Sequence, residues 1–464
     1  MNTAFDAQLF ATFRRVFSTQ RALLAGLSGG LDSTVLLHAL RQWQITERAD
    51  LRLRAVYIHH GLNPLADSWA AHCRAFCEAH SVPFQMCPVQ VDPRQKGIEA
   101  AAREARYQAF RDIIAPDEAL VTAQHLDDQS ETFFLALKRG SGPAGLSAMA
   151  ENMNFSGHSL IRPLLSFSRV QLEHYAEINH LTWVEDDSNG DIRYDRNFLR
   201  HSVLPHLNTR WPHFAHAVSR SASLCAEQEA LLDELLLPEV AQLTDSHHGL
   251  SVSPLLVMSA MKRNAILRRW LDQCGALMPS QQQLALIWQE VALAKPDAEP
   301  GYFVKPLTIR RYQGKLFAVD KTTGLSDYCL PWDISSVLTL PDDAGYLCVT
   351  ETPDLTDLFS IVRPPKASEL VTVRFGLQGN HHISGRDRRR SAKKLWQELH
   401  VAPWLRDRTP LLWYNDTLIA APGIFVTREG EGEAKADEAK LYVKRTKNNP
   451  AGGVVDRFRT VSDQ

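Results

Sequence analysis

Up to about residue 215, short apolar runs alternate with segments whose apolar positions recur every three to four residues. The runs at 23–25, 53–58, 84–91, 119–123 and 160–162 predict strands, and the segments 33–42, 67–80, 97–114, 127–138 and 168–180 predict helices. Strands alternating with helices imply an α/β fold with a doubly wound parallel sheet. Such sheets bind ligands beyond the carboxyl ends of their strands. The segments Ser28-Gly29-Gly30-Leu31-Asp32-Ser33, His59-His60-Gly61 and His125-Leu126-Asp127-Asp128 each follow a predicted strand, so they converge on one edge.

The pattern then changes. From 216 to 305 it is helical, with apolar spacing at 222–237 and 260–274 and a capping box of Ser280 and Gln283 before 284–293. From 306 to 427 short β-like runs alternate with turns, at 307–311, 316–319, 337–340 and 346–350, followed by a helix near 393–399. The expected organisation is a domain at 1–215, a helical domain at 216–305, and an α+β C-terminal domain at 306–427. The last divides into 306–358 and 359–427. Residues 428–464, rich in Gly and Glu and then polar, read as a flexible tail.

Composition narrows the function. A chain of 464 residues is too long for one core, and 44% hydrophobic with 22% charged residues fits a globular protein. No apolar run approaches the roughly 18–20 residues of a membrane span, and residues 1–20 lack the pattern of a signal peptide. A cytoplasmic location is expected. The 7 cysteines form no CxxC pair. Cys73 and Cys77 share a helix face but lack further ligands nearby, which favours core packing over a metal site. A net charge of −2 excludes a uniformly basic nucleic-acid binder. Between 361 and 410, however, 11 Lys or Arg face 4 Asp or Glu, a local surface able to bind phosphates.

The loop Ser28 to Ser33 carries the strongest chemistry. A Gly-rich turn between strand and helix offers backbone N–H groups to an anion, its serines add hydroxyl donors, and Asp32 can help hold Mg²⁺. The Walker lysine is absent. The bland alternative is a turn capping an ordinary helix. In Gln124-His125-Leu126-Asp127-Asp128-Gln129-Ser130-Glu131-Thr132, Asp128 and Glu131 lie three apart on one helix face. They can hold an ammonium group or Mg²⁺, or simply complement the helix dipole.

The SGGLDS loop resembles that of the N-type ATP pyrophosphatases, the PP-loop superfamily. Together with His59-His60-Gly61, HLDDQSET at 125–132 and Arg139-Gly140-Ser141-Gly142, it resembles the tRNA(Ile)-lysidine synthetases. Glu185-Asp186-Asp187-Ser188-Asn189, Arg196-Asn197-Phe198-Leu199-Arg200, Ala392-Lys393-Lys394-Leu395-Trp396 and Pro403-Trp404-Leu405-Arg406 extend the likeness over about 20–427, nearest the longer proteobacterial form. The resemblance implies ATP and Mg²⁺, free L-lysine, and an isoleucine tRNA with a CAU anticodon. ATP adenylates the position-2 oxygen of the wobble cytidine. Lysine then displaces AMP, changing the codon read from AUG to AUA and the amino acid from Met to Ile.

On that reading Ser28 to Ser33 hold the phosphates and His59 lines the adenine side. Asp32, Arg106, Asp128 and Glu131 are catalytic, and Asp32 is also the Mg²⁺ residue. Asp128, Glu131 and Arg196 bind lysine. Arg196, Asn197, Arg200, Lys262, Arg263, Arg388, Arg389, Arg390, Lys393 and Lys394 meet tRNA. The alternatives are solvated charged faces and, for Arg196 and Arg200, ion pairs with Asp191 or Asp195. A homodimer is left open. A PP-loop tRNA thiolase would need a persulfide or cluster-binding cysteine set. Another adenylating synthetase would not need the basic C-terminal unit. A non-catalytic RNA-binding scaffold would not need Asp32, Asp128 and Glu131.

Overall fold

The computed structural model describes residues 4–91, 97–295, 298–321, 323–350, 359–431 and 440–447. Residues up to Leu236 form one compact unit and those from Leu237 a second.

In the first unit, β1 (Ala22–Gly26), β2 (Arg52–His59), β3 (Phe84–Pro88), β4 (Glu118–Val121), β5 (Asn152–Phe155) and β6 (His158–Ile161) form one sheet in the order β3-β2-β1-β4-β6-β5. All neighbours pair in parallel except the β5–β6 hairpin. The central strand is buried on both faces, because alternate side chains enter two different cores. Leu23 and Ala25 pack with Phe13, Phe17, Leu36, Leu40 and Trp43; Leu24 packs with Val56, Phe110 and Leu120. The helices α1 (Ala4–Val16), α2 (Leu31–Glu47), α3 (Ala66–Ala79), α4 (Ile98–Ile113), α5 (Leu126–Lys138) and Arg169–Ile178 complete the doubly wound architecture.

The five expected strands and five expected helices are all present, with ends shifted by a few residues. Among the elements that escaped the sequence reading are α1 and β5. α1 buries Leu9 and Phe13 against the sheet layer. β5 is an edge strand whose first three residues are exposed, so it carries no run of apolar residues.

The second unit departs more from expectation. Its helices Ala260–Gln273 and Gln281–Leu286, the latter continuing through a π-helical turn at Ile287–Ala292, lie with an antiparallel sheet. That sheet contains β7 (Leu250–Ser251), β8 (Gly301–Val304), β9 (Leu307–Tyr312) and β10 (Lys315–Asp320) in the order β7-β10-β9-β8. A boundary at 305/306 would cut the β8–β9 hairpin, so the middle region is not purely helical. A boundary at 215/216 would fall inside the helix Phe214–Leu243. The capping box is as expected: Ser280 Oγ accepts from Gln283 N–H at 3.2 Å, and Gln283 Oε1 accepts from Ser280 N–H at 2.8 Å.

Two further sheets follow. One contains Cys329–Pro331, Val371–Arg374, Leu411–Tyr414, Thr417–Ala421 and Phe425–Val426; the other contains Leu338–Thr339, Tyr346–Thr350, Leu441–Thr446 and Phe359–Val362. Val373, Leu412 and Ile419 from the first share a core with Leu347, Val362 and Val443 from the second. From Leu325 on, the parts expected as 306–358 and 359–427 therefore share one core, while 307–320 belongs to the preceding sheet. The expected flexible tail also needs correction. Residues 432–439 and 448–464 lie outside the described residues, but Leu441–Thr446 is an inner strand, paired on both sides. Its aromatic and β-branched residues Tyr442, Val443 and Thr446 suit that place better than the Gly-Glu run before it suggested.

Val443 is 1% exposed between Val349 and Ser360. We expect Val443→Ala to destabilise the second unit by about 1–3 kcal/mol, read from the urea unfolding midpoint. A shift below about 0.5 kcal/mol would mean that this strand contributes as a loose tail.

Candidate active site

The loop after β1 is held by its own serines. Ser33 Oγ accepts from the Ser28 N–H at 3.1 Å, lies 3.0 Å from Ser28 Oγ, and donates to the Gly30 carbonyl at 3.1 Å. Gly29 has φ +85°, and a Cβ there would lie 2.9 Å from Val184 Cγ2 and 3.0 Å from Cys73 Sγ. Only glycine fits. The Val184 N–H donates to the Gly29 carbonyl at 2.9 Å, fastening the loop from above. Gly30 caps α2 without a side-chain acceptor, so no cap competes for the first-turn N–H groups. Such an end leaves its N–H groups open to an anion. Leu31 is buried and anchors the start of the helix.

α5 begins on a reciprocal cap. The His125 Nδ1 accepts from the Asp127 N–H at 3.2 Å, and Asp128 Oδ2 accepts from the His125 N–H at 3.0 Å. With Nδ1 accepting, the ring proton belongs on Nε2. That nitrogen lies 3.6 Å from Asp32 Oδ2 and 3.5 Å from Asp128 Oδ2, between the loop and α5 and without a hydrogen bond to either. His125 thus caps its helix and lies beside two of the expected catalytic carboxylates.

Asp128 and Glu131 lie on one face, as their spacing requires, and both are buried, Glu131 to 0% exposure. Their partners are Arg196 and Arg200. Glu131 Oε2 accepts from Arg196 Nε at 2.6 Å, and Oε1 accepts from Arg200 Nε at 2.6 Å. Asp128 Oδ1 accepts from Arg196 Nη2 at 3.1 Å and from Arg200 Nη2 at 3.0 Å. The two arginines are four apart on the helix Asp195–Phe198 as it passes into a π-helical turn, Leu199–Val203. Pro205 has no N–H to continue the ordinary ladder there. Asp191 and Asp195, the ion partners named by the alternative reading, pair instead with Arg193 and Lys138, each at 2.6 Å. Asn197 donates to the Asp191 carbonyl at 3.0 Å.

The electrostatics separate the acids. Burial pushes the Asp32 carboxyl up, Asp128 adds to it, and His125, Arg169 and Arg200 offset only part. Burial also opposes charge on Asp128, but His125, Arg196 and Arg200 outweigh it and hold its pKa down. Two carboxylates in one site are thereby tuned in opposite directions. Asp32 Oδ1 is buried without a hydrogen-bond partner.

At the β2 end, His59 Nε2 lies 3.0 Å from Asp67 Oδ1. His60 is pushed down to about 4 by burial and then by the charge of Arg106, which places that arginine's influence at this end of the sheet. The sequence reading missed Arg169, at the start of the helix after β6, whose Nη1 lies 3.9 Å from Asp32 Oδ2. Its place after a strand on the same edge was the available signal.

The remaining basic residues divide. Lys262 pairs with Glu239 at 2.8 Å, and Arg263 lies over the Trp288 ring at 4.1 Å. Arg390 Nε lies 3.6 Å from Glu398 Oε1. Arg388, Arg389, Lys393 and Lys394 are exposed, and none has an ion-pair partner among the described residues. Burial pushes Cys73, Cys77 and Cys274 up to about 12, which favours the thiol over the thiolate.

Comparison with known proteins is decisive. A PP-loop domain model matches residues 1–207, a TilS substrate binding domain model 250–317 and a TilS substrate C-terminal domain model 371–443. The tRNA(Ile)-lysidine synthase of Pectobacterium atrosepticum is 55% identical over 427 residues, covering 92% of this chain and 95% of that protein. Those of Photorhabdus laumondii and Shigella flexneri are each 52% identical, covering 92% and 93% of this chain and 95% and 99% of theirs. The chain belongs to the tRNA(Ile)-lysidine synthase family. Family membership supports the lysidine reading over the thiolase, other-synthetase and scaffold alternatives. It also accounts for the mixed helix-and-sheet middle region, which coincides with the substrate binding domain of the family.

Gly29→Ala should raise the KM for ATP by about tenfold or more, and cost about 1–3 kcal/mol of stability in the first unit. Steady-state kinetics and urea unfolding check this; an unchanged KM would show that the loop does not need its present shape to use ATP.

Proposed function

We propose that this chain joins L-lysine to carbon 2 of the wobble cytidine in a CAU-anticodon isoleucine tRNA. As a member of its family it is an ATP-dependent ligase forming a carbon–nitrogen bond. The observation that carries the site assignment is the two-sign cluster of Asp128, Glu131, Arg196 and Arg200, with His125 between it and Asp32 beside the anion cradle. Free lysine brings both an ammonium and a carboxylate, and this cluster offers partners for each.

The loop 28–33 receives the ATP phosphates, with His59 toward the adenine. Asp32 suits Mg²⁺: its buried Oδ1 lacks a partner, and Mg²⁺ commonly uses one or two carboxylates together with phosphate oxygens. When bound, the ion neutralises phosphate charge. No cage of three or more His, Cys, Asp or Glu side chains is present among the described residues, so phosphate oxygens and water complete such a site.

Cytosine O2 attacks the α-phosphorus and pyrophosphate leaves; the lysine ε-amine then attacks carbon 2 and AMP departs with the oxygen. Arg106 offsets negative charge during adenylation. Asp128, held ionised, pairs with the ammonium, and a carboxylate of the cluster takes the proton that the amine loses. Arg388, Arg389, Lys393 and Lys394 attract tRNA phosphates, giving affinity and placement rather than base identity. Arg196, Arg200 and Asn197 act from the edge of the lysine site, and the contribution of Lys262, Arg263 and Arg390 is reduced by their internal contacts. A cytoplasmic location follows from the tRNA substrate. No described helix is long and apolar enough to cross a membrane.

The test is incorporation of labelled L-lysine into an unmodified CAU transcript with ATP and Mg²⁺, beside a transcript whose wobble base is uridine. We expect incorporation into the first only, with AMP formed. tRNA-dependent AMP formation without lysine incorporation would overturn the lysine assignment.

A further inference from the structure

The leaving group of the adenylation step has no dedicated cation in the phosphate loop. The segment 28–33 contains neither Lys nor Arg. Pyrophosphate departs as the α-phosphorus bond to its bridging oxygen breaks and the electron pair moves onto that oxygen. The bond to cytosine O2 forms at the same phosphorus, so the step balances without a co-reactant. Negative charge grows on the pyrophosphate.

Two arginines act on Asp32. Arg200 is bound to Glu131 and Asp128, both buried, and cannot leave without stranding them. Arg169 differs. Its backbone is fixed: its N–H donates to Asp127 Oδ2 at 2.8 Å, and Ser168 before it forms a reciprocal cap with Gln171. Its side chain is loosely held. Arg169 Nε donates to Glu173 Oε1 at 3.0 Å, but the two side chains are 38% and 44% exposed, and such surface pairs contribute little. Its Nη1 is 3.9 Å from Asp32 Oδ2, beyond hydrogen-bond distance. A fixed base and a weakly tethered guanidinium beside the cradle suit a group that turns onto a phosphate, and the guanidinium fork matches phosphate oxygens in pairs.

We propose that Arg169 holds the β- and γ-phosphates of ATP as they depart as pyrophosphate. This rests on reading the loop 28–33 as the phosphate site. The experiment is equilibrium binding of inorganic pyrophosphate to the full chain, wild type and variants, with urea unfolding alongside.

Arg169→Ala should weaken pyrophosphate binding by about tenfold or more, and Arg169→Lys by clearly less, since it keeps the charge but loses the fork. Glu173→Gln, which frees Arg169, should leave the affinity equal to wild type or tighter. Arg169→Gln serves as the neutral variant if the alanine form does not fold. Pyrophosphate affinity within about twofold of wild type in Arg169→Ala or Arg169→Gln would overturn the proposal while leaving the loop assignment standing. A wild-type chain that binds no pyrophosphate would overturn both.

Discussion

Glu131 is a carboxylate with no solvent contact, and the site is arranged around that fact. An unpaired buried carboxylate costs several kcal/mol, so α5 can place Glu131 there only if cations follow it in. Arg196 and Arg200 do so, each through Nε, on opposite oxygens of one carboxylate. The consequence is architectural. A stretch with only short helical turns, Asp195–Phe198 and Leu199–Val203, is held against α5, and both guanidiniums are brought within reach of Asp128. Replacing the cluster by apolar groups could give equal stability. Keeping it retains both signs of charge at the edge of the sheet that carries the loop 28–33.

The same constraint links α5 to the loop 28–33. Asp128 uses one oxygen on the cap of α5 and the other on the arginines. His125 then lies between Asp128 and Asp32 at the phosphate loop. The two neighbouring acids differ in their surroundings: Asp32 has no close hydrogen-bonding cation, while Asp128 is surrounded by positive charge.

Much of this was legible in the sequence because it is local. The strand–loop–helix run around Ser28–Ser33, the (i, i+3) spacing of Asp128 and Glu131, and the cap of Ser280 and Gln283 each depend on residues a few positions apart. What escaped depends on residues far apart in the chain. Spacing cannot tell that Arg196 and Arg200 reach back some sixty-five residues or more to α5 rather than to Asp191 or Asp195 beside them. Nor does the sequence alone reveal Val184 sealing Gly29, or Arg169 beside Asp32. The second unit was read least well for a related reason. Its sheets are antiparallel with short strands, one core draws on residues from 325 to 443, and a polar Gly-Glu run separates Leu441–Thr446 from the rest.

The central claim is that Glu131 holds the arginine-bearing segment in place. Amide hydrogen exchange of Glu131→Gln tests it directly, since the amide keeps nearly the same shape and loses the charge. The account predicts much faster exchange across residues 195–203, with protection retained in β1, β2 and β4. Unchanged protection across 195–203 would contradict it, and would mean that the segment is held by something other than its arginines.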